Sequence, residues 1–145
     1  MEIKIRKELK ETEYKIYVST DGEEFYSEHA CIQHERNLHR EELAEKLKNI
    51  EENVNVCDWT PLDGCEHTEY HDYKWFKPKN IEEVNVLNEY FNIHYRPINE
   101  TMIGQWVCLE IAEGKVYVSS LENSLSWIPT FLEKFGYKVT IEKEV

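Results

Sequence analysis

An α+β domain is what the sequence predicts. Three observations carry that expectation: short alternating apolar–polar segments come in pairs around Asp21-Gly22 and Glu113-Gly114, helix-period stretches separate those pairs, and no regular strand–helix–strand alternation runs through the chain. The expected order is ββαββαββαβ, an antiparallel sheet with about three helices, in one domain covering residues 1–145. A chain of 145 residues can remove roughly two thirds of its unfolded surface from water, so no disulfide or metal is required to hold it. Four tryptophans, nine tyrosines and five phenylalanines supply bulk for such a core.

The first strand follows from Ile3, Ile5 and Lys7 alternating with Lys4 and Arg6. The second follows from the β-rich run Tyr14-Lys15-Ile16-Tyr17-Val18. Asp21-Gly22 turns the chain into a short return through Glu24-Phe25-Tyr26. Ser27 is then a good helix N-cap, with Glu28 in the first turn where the helix dipole favours an anion. The helix is expected to run to about Ile50, burying Cys31, Leu38, Leu43, Leu47 and Ile50, although the spacing slips between Leu38 and Leu43.

Val54, Val56 and Cys57 read as a short strand ended by the turn cluster Thr60-Pro61-Leu62-Asp63-Gly64, and Glu69 to Phe76 reads as another. Pro78 stops it. Asn80 with Glu83 three residues later predicts a capping box ahead of Val84, Leu87 and Phe91. Trp106–Ile111 and Lys115–Val118 form a hairpin around Glu113-Gly114. Leu121, Leu125, Ile128, Leu132 and Phe135, spaced by three and four, predict a third helix closed by Gly136, with Leu125, Ile128, Leu132 and Phe135 buried against the sheet. Pro129 inside it predicts a kink or a later start. Tyr137, Val139 and Ile141 alternate as a final strand.

Charge narrows the function. With 29 Asp and Glu against 17 Lys and Arg the formal charge is −12, which argues against direct binding to nucleic acid or an anionic membrane, since both need a basic footprint. Charges break every candidate membrane span, and the charged beginning of the chain does not read as a secretory signal. A cytoplasmic protein is expected, with Cys31, Cys57, Cys65 and Cys108 as reduced thiols. The Asn99-Glu100-Thr101 glycosylation pattern is then coincidental.

Catalytic patterns are weak. There is no Gly-x-Ser-x-Gly elbow and no phosphate-cradling glycine loop, and paired carboxylates are too common in so acidic a chain to single any out. Cys57, Cys65, His67 and His71 are zinc-type ligands, but the two cysteines lie eight residues apart, wider than the two to four of familiar structural sites. His29, His34 and His39 are five apart, which turns each about 140° from the last on a helix and prevents one three-histidine site. They are expected to be solvated, with His34 and Glu35 pairing locally with Arg40 or Glu41. Neither catalytic residues nor a metal or cofactor is expected, so the chain reads as a non-enzyme.

The most distinctive interval runs from Asn49 to Tyr73. It contains Glu51, Glu52, Asp58, Asp63, Glu66, Glu69 and Asp72 and neither Lys nor Arg, a local charge of −7. Trp59, Tyr70 and Tyr73 lie among the acids, and aromatic side chains of this kind anchor protein interfaces. Spaced carboxylates can imitate a row of phosphates and occupy the basic groove of a nucleic-acid-binding protein. These ten residues are the expected partner-binding set.

The segment Tyr17-Val18-Ser19-Thr20-Asp21-Gly22-Glu23-Glu24-Phe25, followed by Glu28 and Cys31 to Glu35, resembles a pattern in small phage and prophage proteins of Gram-positive bacteria. Trp106 to Ile141 is similar to such proteins as well, with Ser120-Leu121-Glu122-Asn123-Ser124 and Phe135-Gly136-Tyr137-Lys138-Val139. The resemblance covers about half the chain and carries no catalytic residue. It implies a viral protein that binds and inhibits a host or bacterial-defence protein, anti-CRISPR-like, in the bacterial host cytoplasm. Contact would be with a basic protein surface rather than nucleic acid or membrane, and self-association is compatible with it. The alternative is a protein that sequesters a nucleotide-like signal, stacking a base on aromatics and holding phosphates with Lys74, Lys77, Lys79 and Arg96.

Overall fold

The computed structural model describes residues 1–7, 13–56 and 71–144. It is α+β, with three helices and two antiparallel sheets, where a single sheet was expected. The chain divides into two compact units, Met1–Glu45 and Lys46–Val145.

In the first unit, β1 (Glu2–Lys7), β2 (Glu13–Val18) and β3 (Glu24–Phe25) form a sheet in that order. Glu2 lies opposite Val18 and Lys7 opposite Glu13, and the latter pair closes with an ion contact of 3.2 Å. Helix α1 (Glu28–Leu47) starts as its sequence dictates, the Ser27 hydroxyl accepting from the Ala30 N–H at 3.4 Å. Ile16 and Val18 of β2 and Cys31 and Leu43 of α1 are buried. Leu38 and Leu47, expected in the buried stripe, are only half-buried. The helix ends at Leu47, three residues before Ile50.

The second unit carries β4 (Glu51–Glu52), β5 (His71–Lys77), β6 (Val107–Ala112) and β7 (Lys115–Ser120), paired in chain order. The expected strand at Val54 and Val56 is corrected. The strand stops at Glu52, and the Asn53 side chain accepts from the Asn55 N–H at 3.1 Å, a local turn that leaves Val54 68 % exposed. Cys57 and the expected turn at 60–64 lie outside the described residues, as do Glu69 and Tyr70 at the start of the next expected strand.

Central strands β5 and β6 are buried on both faces, which is why Val107-Cys108-Leu109 is a continuous apolar run rather than an alternating one. Tyr73, Trp75 and Cys108 share one face with Trp106 and Leu121 packed against them; Phe76, Val107 and Leu109 occupy the other. Glu113 (φ 49°) and Gly114 (φ 78°) make the two-residue β6–β7 turn, both in the left-handed region that matches the twist of a tight hairpin.

Helix α2 (Ile81–Tyr90) is capped by Asn80, whose side chain accepts from the Glu83 N–H at 2.9 Å. Glu83 reaches back one residue further than a standard capping box, to the Lys79 N–H at 2.8 Å. Val84, Val86 and Leu87 are buried, and Phe91 packs on Phe76 with ring centres 5.6 Å apart.

Helix α3 (Leu121–Glu133) runs through Pro129 rather than starting after it. Its expected buried stripe is corrected: Leu125, Ile128 and Leu132 are half-buried, and Phe135, past the helix end, is 66 % exposed. Trp127, Phe131 and Phe135 instead form an outward ladder, each ring 5.4–5.6 Å from the next. Gly136 (φ 87°) closes the helix, allowing the Tyr137 N–H to donate to the Leu132 carbonyl at 3.2 Å. The expected final strand at Tyr137, Val139 and Ile141 does not form. Residues 137–141 pair with no described strand, and Tyr137 and Ile141 are exposed.

Candidate functional site

Of the ten residues expected to bind a partner, Asp58, Trp59, Asp63, Glu66, Glu69 and Tyr70 lie outside the described residues, as do Cys57, Cys65 and His67. Glu51 and Glu52 on β4 and Asp72 on β5 are exposed. Glu51 lies opposite Lys77 across the strand pair, so its charge is partly answered within the fold. Tyr73 is corrected from interface anchor to core residue. It is 0 % exposed and packs with Trp75 and Cys108, its hydroxyl 3.5 Å from a Glu110 carboxylate oxygen. The strand period explains this, because Tyr73 points to the face opposite Asp72.

A second cluster, missed in the sequence, joins His34 of α1 to the turn between β2 and β3. His34 Nε2 lies 2.9 Å from Asp21 Oδ2 and 3.2 Å from Glu23 Oε2. The turn holds both acids in place: the Ser19 N–H donates to the Glu23 carbonyl at 2.9 Å, the Gly22 N–H to the Ser19 carbonyl at 3.0 Å, and the Ser19 hydroxyl to the Asp21 carboxylate. The Ser19 and His34 hydrogen bonds lower the Asp21 pKa to about 2. The Asp21 carboxylate raises that of His34 in return. The expected solvated His34 is therefore corrected to a half-buried one, its ring 5.1 Å from that of Phe25. Asp21, Glu23 and His34 offer three ligand atoms within 4.8 Å of one another, and the two carboxylates pair with the His34 ring as a clamp that is charged whenever the imidazole is protonated. No sequence motif marks the cluster, because thirteen residues separate Asp21 from His34.

Cys31 and Cys108 are buried and not joined in a disulfide. Burial pushes the Cys31 thiol up, and the Glu35 carboxylate adds to it, the opposite of what a nucleophilic cysteine needs. No described helix is long and apolar enough to cross a membrane.

A concavity of about 450 Å³ lies in the second unit between the loop after α2 and the β6–β7 hairpin. Asn92, His94 and Tyr95 line one side; Gly114, Lys115, Val116 and Tyr117 line the other. Tyr95 is 67 % and Tyr117 46 % exposed, and the Arg96 guanidinium lies over the Tyr95 ring, 5.3 Å from its centre. Comparison with protein-family models, with curated proteins and with solved structures finds no match.

Proposed function

We propose that the chain is a non-enzymatic binding protein that presents its acidic stretch to the basic, nucleic-acid-binding surface of a partner protein and so blocks it. The partner fitting the phage-like sequence patterns is a host or bacterial-defence protein in the bacterial cytoplasm. The observation that carries this reading is the interval from Asn49 to Tyr73, with seven carboxylates and no Lys or Arg within it. The exposure of Glu52 and Asp72 at its two described ends supports it. A surface of one sign accelerates encounter with the opposite sign and repels competing acidic partners.

The test is capture of partners on the immobilised full chain from a bacterial lysate, followed by elution with short duplex DNA or with salt. A nucleic-acid-binding protein released by both is expected. A captured protein that neither DNA nor salt displaces contradicts the proposal, as does the recovery of no partner.

A further inference from the structure

The chain carries 29 acidic residues, yet none of the described residues lining the groove beside the β6–β7 hairpin is acidic. Basic side chains gather there instead. Lys115 and His94 line it, and Arg96 adds its guanidinium beside Tyr95. Two tyrosine rings, Tyr95 and Tyr117, are more exposed than aromatic side chains usually are without a partner. Arg96 also adopts φ 48° immediately before Pro97, a position where the proline ring favours extended backbone. Such strain persists only where surrounding structure holds it, and here Ile98, two residues on, is fixed to α2 by Asn88.

We propose that this groove binds a small planar aromatic anion, of the class of a nucleoside monophosphate. Its volume falls within the usual range for small-molecule sites and suits one ring system with one charged group. The tyrosines offer π faces on which any base can stack. Lys115 and His94 offer donors to a phosphate, with no carboxylate among the described lining residues to compete for them. Because the chain as a whole repels anions, local cations are what make such a ligand bind here and not elsewhere. The proposal uses none of the ten acidic-stretch residues, so it and the proposed function are tested separately.

The test is titration of the isotope-labelled full chain with adenosine monophosphate, monitored by amide chemical shifts, with adenosine and inorganic phosphate as separate arms. Saturable shifts are expected at residues 92–96 and 114–117, with adenosine and phosphate each about tenfold weaker or more. Lys115→Glu should weaken adenosine monophosphate by at least about tenfold; Tyr95→Phe should retain binding and Tyr95→Ala lose it. Absence of saturation at millimolar ligand, adenosine binding as tightly as its monophosphate, or unchanged binding by Lys115→Glu overturns the proposal. So does equal binding by the two Tyr95 variants.

Discussion

The side-chain amide of Asn88 and the peptide groups of Ile98 form a closed pair of hydrogen bonds. Asn88 Nδ2 donates to the Ile98 carbonyl and the Ile98 N–H donates to Asn88 Oδ1, both at 2.9 Å. Ile98 is buried, so neither of its peptide groups has ready access to water once the amide is removed. Asn88→Ala should cost about 1–3 kcal/mol for each orphaned group, with Asn88→Asp intermediate because it keeps the acceptor. Denaturant unfolding measures both. Equal midpoints for Asn88→Ala and the parent chain would show that the pair does not hold the 92–98 loop.

The cap of α2 makes a second, local prediction. Asn80→Ala removes the acceptor for the Glu83 N–H and should destabilise by about 1 kcal/mol, whereas Asn80→Asp should be nearly neutral. Thermal unfolding of the three proteins at one pH separates these outcomes.

The clamp of His34 with Asp21 and Glu23 makes stability depend on pH in a specific window. The His34 pKa is raised in the fold, so its contribution is fully present below the unfolded value of 6.5 and is lost as pH rises through the folded value. That of Asp21 is lowered, so its contribution is present above the unfolded 3.8 and is lost as pH falls through about 2. The melting-temperature gap between the parent chain and His34→Gln should therefore be widest between about pH 4 and 6.5 and narrow towards alkaline pH. A gap that does not change with pH would remove the ion-paired clamp.

Burial separates aromatic residues that the sequence treats alike. Tyr73→Ala should cost about 3–5 kcal/mol, because it empties a fully buried site between Trp75 and Cys108. Phe135→Ala should stay within about 1 kcal/mol, because its ring is largely in water already. Denaturant midpoints with unchanged slopes would compare them directly.

Local chemistry made much of the fold legible. The Ser27 and Asn80 caps, the Glu113-Gly114 hairpin and Gly136 at the end of α3 each depend on a few adjacent residues, and each forms as the sequence implies. What failed depended on distant partners. Tyr137, Val139 and Ile141 alternate like a strand but pair with no described strand, and the stripe of α3 has helical spacing without a deep core beneath it. Tyr73 closes an acidic interval and so reads as part of it, although its position next to Asp72 in the strand period places it on the opposite face. The groove was visible only in fragments, since Tyr95 and Tyr117 are brought together by the loop after α2 and the hairpin.

Acidic attraction to a basic partner surface is tested most directly by association kinetics. With the captured partner immobilised, association rates would be measured at low and high ionic strength for the parent chain and for one carrying Glu52→Gln, Glu66→Gln, Glu69→Gln and Asp72→Asn, its fold checked by circular dichroism. Long-range attraction sets encounter rates and is screened by ions, so the neutralised chain should associate more slowly and with a flatter salt dependence. Equal rates for the two chains at both ionic strengths would contradict the account.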